Sequence, residues 1–183
     1  MALGDPEALE RFLAAVERRI FRMAEIATGQ REEALDIAQD SMLKLVERYA
    51  ERPEEEWGPL LHRIVQHRIR DWYRRHRVRQ RFRIWPRRES EDEEASDPLE
   101  SLRDPTASDP ERELGEARAM GEVERSLREL PLRQQQAFLL RAWEGLDVRQ
   151  TARAMGCSEG SVKTHYHRAL NGLRKRLGKE GGE

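Results

Sequence analysis

The sequence predicts an all-α protein with two small helical domains joined by an acidic, flexible linker. Charged residues make up 38% of the 183 residues and hydrophobic residues 37%, so each core must be small. Apolar residues recur at helical spacing near both ends of the chain. Residues 86–112 between them are rich in acids and prolines, a composition that buries too little apolar surface to offset chain entropy. The predicted domains are residues 1–85 and 113–183.

The first two predicted helices lie on either side of Gly29. The first carries apolar residues at helical spacing: Leu9, Phe12, Leu13, Val16, Ile20 and Met23. The second runs from about Glu32 to Tyr49 and is predicted to bury Leu35, Ala38, Met42, Leu45 and Val46. Its other face carries Asp36, Gln39, Asp40 and Lys44, and the segment around Pro53 ends it.

The third predicted helix begins near Trp57, runs beyond Arg75 and combines aromatic residues with a dense set of arginines. Its apolar side consists of Leu61, Ile64, Val65, Ile69 and Trp72. Arginines bind phosphates and aromatic rings stack on unpaired bases, so the helix is a candidate for single-stranded nucleic acid. Trp72 fits a core position equally well, whereas Tyr73 lies off the apolar face and is expected to be exposed.

A net charge of −1 conceals blocks of opposite sign. Residues 63–88 are strongly basic, with Asp71 as the lone acid, residues 89–116 are mostly acidic, and the last helix is basic again. Blocks of this kind indicate separate surfaces for separate partners. The acidic linker is interpreted as a solvated tether, with a nucleic-acid mimic for a basic channel of a partner as the alternative.

Residues 147–177 have the pattern of a helix-turn-helix. Asp147 can cap a short helix, Gly156 suits a turn with positive φ, and Ser158 can cap a second helix. The spacing of Ala152, Gly156 and Val162 fits two helices that cross steeply. The exposed side of the second helix would carry hydrogen-bond donors for phosphates or base edges, namely Ser161, Lys163, Thr164, His165, His167 and Arg168. An ordinary helical hairpin with a basic face is the alternative.

Other classes of protein find less support in the sequence. The single Cys157 rules out an intramolecular disulfide and a cysteine-cluster metal site. The histidines lack a tight ligand spacing, and no phosphate loop or nucleophile motif appears, so we expect no catalytic residue, no metal and no cofactor. A response regulator would need an αβ receiver domain that the N-terminal half does not predict. Without a membrane span or a signal-peptide pattern, the expected location is the cytoplasm.

Three blocks of sequence resemble an extracytoplasmic-function (ECF, group IV) sigma factor of bacterial RNA polymerase, a branch of the sigma-70 family. ALDIAQDSMLKLVERY resembles the polymerase-binding helix of the family, and WGPLLHRIVQHRIRDWYRRHR resembles its promoter-melting helix. The segment from Leu127 to Leu177 is similar to its upstream-element-binding domain. The resemblance implies a sigma-2-like domain, the linker and a sigma-4-like domain. One departure is His67, which stands where the family usually has Asn.

The resemblance also implies partners and roles for particular residues. The chain would bind core RNA polymerase, at the clamp helices of the largest subunit and at the flap, together with promoter DNA, and it would not act at a membrane. Asp36, Gln39 and Asp40 would contact the clamp helices, and the loop from Ala50 to Glu56 would receive a flipped base. The minus-10 element would contact Arg63, His67, Arg70, Tyr73, Arg74, Arg75 and Arg77.

For the minus-35 element, the resemblance implies that the helix from Ser158 to Leu170 enters the major groove. Its implied contacts are Ser158, Ser161, Lys163, Thr164, His165, His167 and Arg168. Members of the family are often held inactive by an anti-sigma factor, so such a partner is implied as well. The alternative function is a helix-turn-helix transcriptional regulator that does not replace the primary sigma factor.

Overall fold

A computed structural model describes residues 5–83 and 120–180 of the chain, and within these ranges all regular structure is helical. The helices are α1 (Pro6–Thr28), α2 (Arg31–Tyr49), α3 (Glu54–Arg83), α4 (residues 120–128), α5 (Leu132–Phe138), α6 (Val148–Met155) and α7 (Glu159–Glu180). The all-α prediction is confirmed. The predicted linker, residues 86–112, lies outside the described residues, so the domain boundaries stay predictions.

Helices α1 to α3, here called the N-terminal unit, pack around Ile20, Leu45 and Val65. Asp5 caps α1 by accepting a hydrogen bond from the backbone N–H of Glu7, and Gly29 ends the helix with φ 67°. Helix α3 begins at Glu54, earlier than predicted, and the loop before it spans only residues 50–53. The glutamates of its first turn favour this early start because they lie at the positive end of the helix dipole.

Helix α2 buries only part of the face that was predicted: Ala38 and Leu45 lie in the core, and Met42 is partly buried. Its buried residues are Ala34, Ile37, Ala38, Ser41 and Leu45, whereas Leu35 and Val46 are each 39% exposed. The prediction that Leu35 and Val46 lie in the core was therefore wrong. Small side chains on the buried face let α2 approach its neighbours closely, which leaves the larger Leu35, Leu43 and Val46 outside.

Helices α4 to α7, here called the C-terminal unit, pack around Ala137, Leu140, Met155, Val162 and Ala169. Helix α5 continues into a π-helical turn, Leu139–Trp143, before Gly145 reverses the chain with φ 70°. Helix α6 packs on α3, and the buried apolar side chains of the two units form one continuous core. None of the helices in the described ranges is long and apolar enough to cross a membrane.

Candidate nucleic-acid and polymerase interface

The turn that joins α6 to α7 has the predicted local chemistry. Asp147 and Gln150 form a reciprocal capping box, with the Gln150 N–H 2.7 Å from the Asp147 carboxylate. Gly156 ends α6 with φ 62°, a conformation that glycine adopts without strain. The Ser161 N–H then donates to the Ser158 hydroxyl at 3.1 Å, which caps α7. These three predictions are confirmed.

The two helices meet through the small and branched residues that the sequence singled out. Ala152 and Met155 of α6 are buried, as is Val162 of α7. Cys157 is half-buried within the turn, and its N–H donates to the Ala152 carbonyl at 3.1 Å. These buried side chains therefore fill the contact between the two helices, and the steep crossing angle expected from the spacing stays a prediction.

Helix α7 has one buried face and one polar face. Val162, Ala169 and Leu173 lie in the core, whereas Lys163, Thr164, His167 and Arg168 are exposed. Spacings of one, four and five residues place these four side chains on a common side of a helix. Because the opposite face is anchored in the core, the direction in which these polar side chains point is fixed by packing.

The two serines at the start of α7 are engaged with each other. Ser158 and Ser161 have their hydroxyl oxygens 2.9 Å apart while Ser158 caps the helix. The Thr164 hydroxyl donates to the Gly160 carbonyl at 3.1 Å. These hydroxyl groups can still accept hydrogen bonds, but the two cationic side chains Lys163 and Arg168 are the stronger partners for phosphate.

His165 lies half-buried at the edge of this polar face. Burial lowers its pKa, and the nearby positive charges of Arg133 and Arg168 lower it further. The imidazole is therefore neutral at pH 7, and it can offer a hydrogen bond but no charge to a DNA duplex.

Helix α3 exposes most of the basic residues predicted to contact the minus-10 element. Arg63, His67, Arg74 and Arg75 are exposed, while the Arg77 side chain lies outside the described part of the molecule. Asp71 links two neighbours, lying 3.1 Å from His67 and 2.8 Å from Arg74. Asp71 thus pairs with one basic residue a turn before it and one a turn after it on the same helix.

The two aromatic residues of α3 are both anchored in the fold. Trp72 is buried and stacks on His76 with ring centroids 4.1 Å apart, so the core interpretation is correct for it. Tyr73 is half-buried, and the prediction that it would be exposed was wrong. Its hydroxyl donates to the Ala27 carbonyl at 2.8 Å. That carbonyl belongs to the last turn of α1, where backbone acceptors lack helical partners, and this explains why the ring turns inward.

Helix α2 presents the predicted acidic and polar face next to an apolar one. Asp36, Gln39 and Asp40 are exposed, and Asp40 lies 3.6 Å from Arg68 of α3. Beside them the exposed Leu43 and Val46 border a groove between α1 and α2, which is also lined by Leu9, Leu13 and Met42. This apolar surface was not predicted, although the sequence of α2 carries a second apolar stripe that indicates it.

Arg70 differs from the other arginines of α3 because the C-terminal unit covers it. Its guanidinium donates to the Met155 carbonyl at 2.9 Å, and Arg133 donates to the same oxygen at 2.8 Å. Burial lowers the pKa of Arg70, and the charge of Arg133 lowers it further. The guanidinium nevertheless stays charged at neutral pH, so one predicted minus-10 contact lies between the two units.

Comparisons with known proteins agree with this geometry. Residues 120–172 match the family described as Sigma-70, region 4. The chain is 27% identical over 178 residues to an RNA polymerase sigma-E factor of Streptomyces avermitilis, covering 97% of this chain and 89% of that protein. It is 28% identical to the ECF RNA polymerase sigma factor SigD of Mycobacterium tuberculosis, covering 95% of this chain and 79% of that protein.

Two solved structures share the fold. The sigma factor RpoE of Bartonella quintana, crystallised with the anti-sigma factor NepR, superposes with a TM-score of 0.65 at 17% identity, covering 92% of this chain and 95% of RpoE. CnrH, solved with the cytosolic domain of CnrY, gives 0.58 at 19% identity, covering 96% of this chain and 91% of the other. Residues 120–172 are therefore similar to sigma-70 region 4, and the chain along nearly its whole length is similar to ECF RNA polymerase sigma factors.

Proposed function

We propose that this chain is a transcription initiation factor that binds core RNA polymerase in the cytoplasm and directs it to specific promoters. The observation that carries the proposal is a helix-turn-helix with an anchored, basic recognition face, located within the region 4 match. The catalytic chemistry belongs to the polymerase. This chain supplies recognition of DNA and attachment to the enzyme.

The exposed face of α7 suits the major groove at the minus-35 element. Lys163 and Thr164 lie in the first two turns, where recognition helices of this motif approach base edges. Arg168 lies about one turn further on and is placed to meet the phosphate backbone. The exposed Arg149 and Arg153 of α6 extend the basic surface on the side of the first helix. Base reading is thereby assigned to Lys163 and Thr164, and non-specific attraction to the arginines.

Helix α3 suits the separated strands of the minus-10 element. Arg63, Arg74 and Arg75 offer exposed guanidinium groups to phosphates, and His67 offers an imidazole where the family usually has an amide. The loop of residues 50–53 precedes this helix and would receive a flipped base. Tyr73, held by its bond to Ala27, can present only the open side of its ring to a base.

The α2 surface suits the clamp helices of the polymerase. Asp36, Gln39 and Asp40 supply polar contacts, and the exposed Leu43 and Val46 supply the apolar centre that stable interfaces contain. The C-terminal unit would bind the flap. RpoE was crystallised with the anti-sigma factor NepR, and we propose that an anti-sigma factor likewise binds this chain.

Transcription from defined templates tests the function directly. Core polymerase of the source bacterium, freed of its own sigma factors, is incubated with this chain and a library of genomic fragments, and the RNA start sites are mapped. We expect starts at a small set of promoters that share two sequence elements. A regulator that does not replace the primary sigma factor would give starts only when that sigma factor is also added.

A matched pair of variants separates polymerase binding from folding. Asp36→Arg reverses a charge on the α2 surface, and Glu122→Arg makes the same change at an exposed site of the C-terminal unit. Exposed substitutions usually change stability by under about 0.5 kcal/mol, so both variants should fold. Asp36→Arg should weaken binding to core polymerase, whereas Glu122→Arg should leave it unchanged. Equal binding by both would remove Asp36 from the interface.

A further inference from the structure

Two polar residues of α3, His67 and Asp71, form a pair in which the hydrogen-bonding roles are fixed. The Nδ1 atom of His67 lies 3.1 Å from the Oδ2 atom of Asp71. An ionised carboxylate can only accept hydrogen bonds, so Nδ1 carries the hydrogen of this pair. When the imidazole is neutral, the second ring nitrogen of His67, Nε2, therefore has a lone pair and no hydrogen.

Arg74 holds the Asp71 carboxylate from the other side. Its guanidinium donates to the Oδ1 atom of Asp71 at 2.8 Å, while Oδ2 faces His67. Each carboxylate oxygen thus has its own donor, about one helical turn away in either direction. The Asp71 side chain is 31% exposed and that of His67 is 61% exposed. Asp71 is therefore the inner, held member of the pair, and His67 is the member that can meet a ligand.

His67 lies within the row of arginines that α3 presents to solvent. Arg63 precedes it by one turn and Arg74 follows it by about two, and all three are exposed. Their spacing places them on one side of the helix, with Arg63 and Arg74 about 16 Å apart along the axis. A single strand whose phosphates contact both guanidinium groups passes over the His67 ring, where an unpaired base can meet Nε2.

We propose that Asp71 is a positioning residue for His67, and that His67 accepts a hydrogen bond from the amino group of an unpaired cytosine or adenine. Cytosine and adenine carry an amino group where thymine and guanine carry a carbonyl oxygen. The lone pair of Nε2 attracts the first kind of group and repels the second. The inference rests on the proposed function in taking single-stranded DNA as the ligand of α3.

Nitrogen-15 NMR of the full chain with labelled histidine shows which ring nitrogen of His67 carries the hydrogen. The spectra are recorded at pH 8.5, where an ordinary histidine is neutral, and His67→Gln identifies the signal. We expect the hydrogen on Nδ1 in the wild type. Asp71→Asn should move it to Nε2: because Arg74 can only donate, the amide oxygen of the new side chain faces Arg74 and its NH2 group faces His67. Hydrogen on Nε2 in the wild type would overturn the proposal without any variant.

Fluorescence anisotropy at the same pH measures the reading of the base, with oligodeoxycytidine and oligothymidine of about 20 nucleotides. Each oligonucleotide presents one base in every register, so the ratio of the two affinities reports the base contact while the phosphate contacts cancel. We expect the preference for cytosine over thymine to be about fivefold greater in the wild type than in His67→Leu, as for one hydrogen bond. Asp71→Asn should favour thymine instead, because Nε2 then donates to the carbonyl oxygen.

Glu122→Gln is the matched control, since it makes the same change from carboxylate to amide at an exposed site of the C-terminal unit. It should keep the wild-type ratio, and circular dichroism checks that every variant keeps its helical content. Equal ratios in the wild type and His67→Leu, or no binding of either oligonucleotide, would overturn the base contact. A wild-type ratio in Asp71→Asn would overturn the positioning role. Failure of the proposed function would look different, because the ratios would change as expected but the chain would start no transcription with core polymerase.

Discussion

Replacing Asp147 with alanine should loosen the helix-turn-helix at its first helix. Helix α6 has only eight residues, so the hydrogen bonds at its ends contribute a large share of its stability. The Asp147 carboxylate accepts from the Gln150 N–H at 2.7 Å, and the Gln150 side-chain oxygen accepts from the Asp147 N–H at 2.9 Å. Alanine removes the first bond and leaves the second without its reciprocal partner.

The expected cost is about 1 kcal/mol in the free energy of unfolding, the middle of the range of about 0.5–2 kcal/mol for lost N-caps. We expect less than the largest value in this range, because two hydrogen bonds of the turn are made by the backbone of residue 147 and remain in Asp147→Ala. These are the Gln150 side-chain bond and the bond from the Thr151 hydroxyl to the Asp147 carbonyl at 2.7 Å. Asp147→Asn keeps an acceptor in place and should cost much less.

Urea unfolding, followed by circular dichroism, measures the difference in the free energy of unfolding between the variants and the wild type. The slope of this free energy against urea concentration should be the same for all of them. Asp147→Ala should lower the unfolding midpoint, with Asp147→Asn close to the wild type. Equal losses for the two variants would mean that the charge of Asp147, and not its capping bond, stabilises α6. No loss for Asp147→Ala would refute the reasoning altogether.

Four further substitutions have outcomes that follow from the surroundings of single side chains. Arg168→Ala should weaken binding to all DNA duplexes by the same factor, and the slope of log affinity against log salt concentration should fall by about one phosphate contact. Lys163→Ala should instead change the ranking of affinities for single-base variants of the minus-35 element, with differences of about 1–3 kcal/mol in binding free energy. Binding titrations measure both effects. Tyr73→Phe should lower the free energy of unfolding by about 1 kcal/mol and leave promoter opening intact, as unfolding and permanganate footprinting would report. The pKa of His165 in the folded protein lies below the usual 6.5, so this imidazole binds more protons in the unfolded chain than in the folded one. The free energy of unfolding of the wild type should therefore decrease as the pH falls below about 6.5. His165→Gln should lose less stability over the same pH range.

The helix-turn-helix could be predicted from sequence because its determinants are local. The motif depends on a cap at Asp147, a left-handed turn at Gly156 and a second cap at Ser158. Each of these acts over only a few residues, so the local sequence determines the backbone conformation. The face of α2 could not be predicted in the same way. That helix carries two apolar stripes, and only packing against α1 and α3 determines that Leu45 is buried while Val46 is exposed.

Contacts between the units had no signal in the sequence. Glu144, His62 and Arg19 are far apart in the chain, and each is an ordinary charged or polar residue of a helical surface until the fold brings them together. Tyr73 is a related case, because its position depends on where α1 ends. The helical periodicity of the sequence places Tyr73 correctly on α3. Its partial burial, however, results from the hydrogen bond to the carbonyl of Ala27 on another helix.

Two of the proposed recognition surfaces are exposed while the two units are packed together. Asp36 and Asp40 of α2 are exposed while the units are docked, as are Lys163 and Thr164 of α7. On the proposed function, attachment to polymerase and reading of the minus-35 element can therefore begin from this arrangement, whereas the Arg70 guanidinium is engaged by the C-terminal unit. A basic surface that is free at all times attracts nucleic acid of any sequence. Because its guanidinium donates to the Met155 carbonyl, Arg70 adds less to such attraction than the exposed arginines of α3 do.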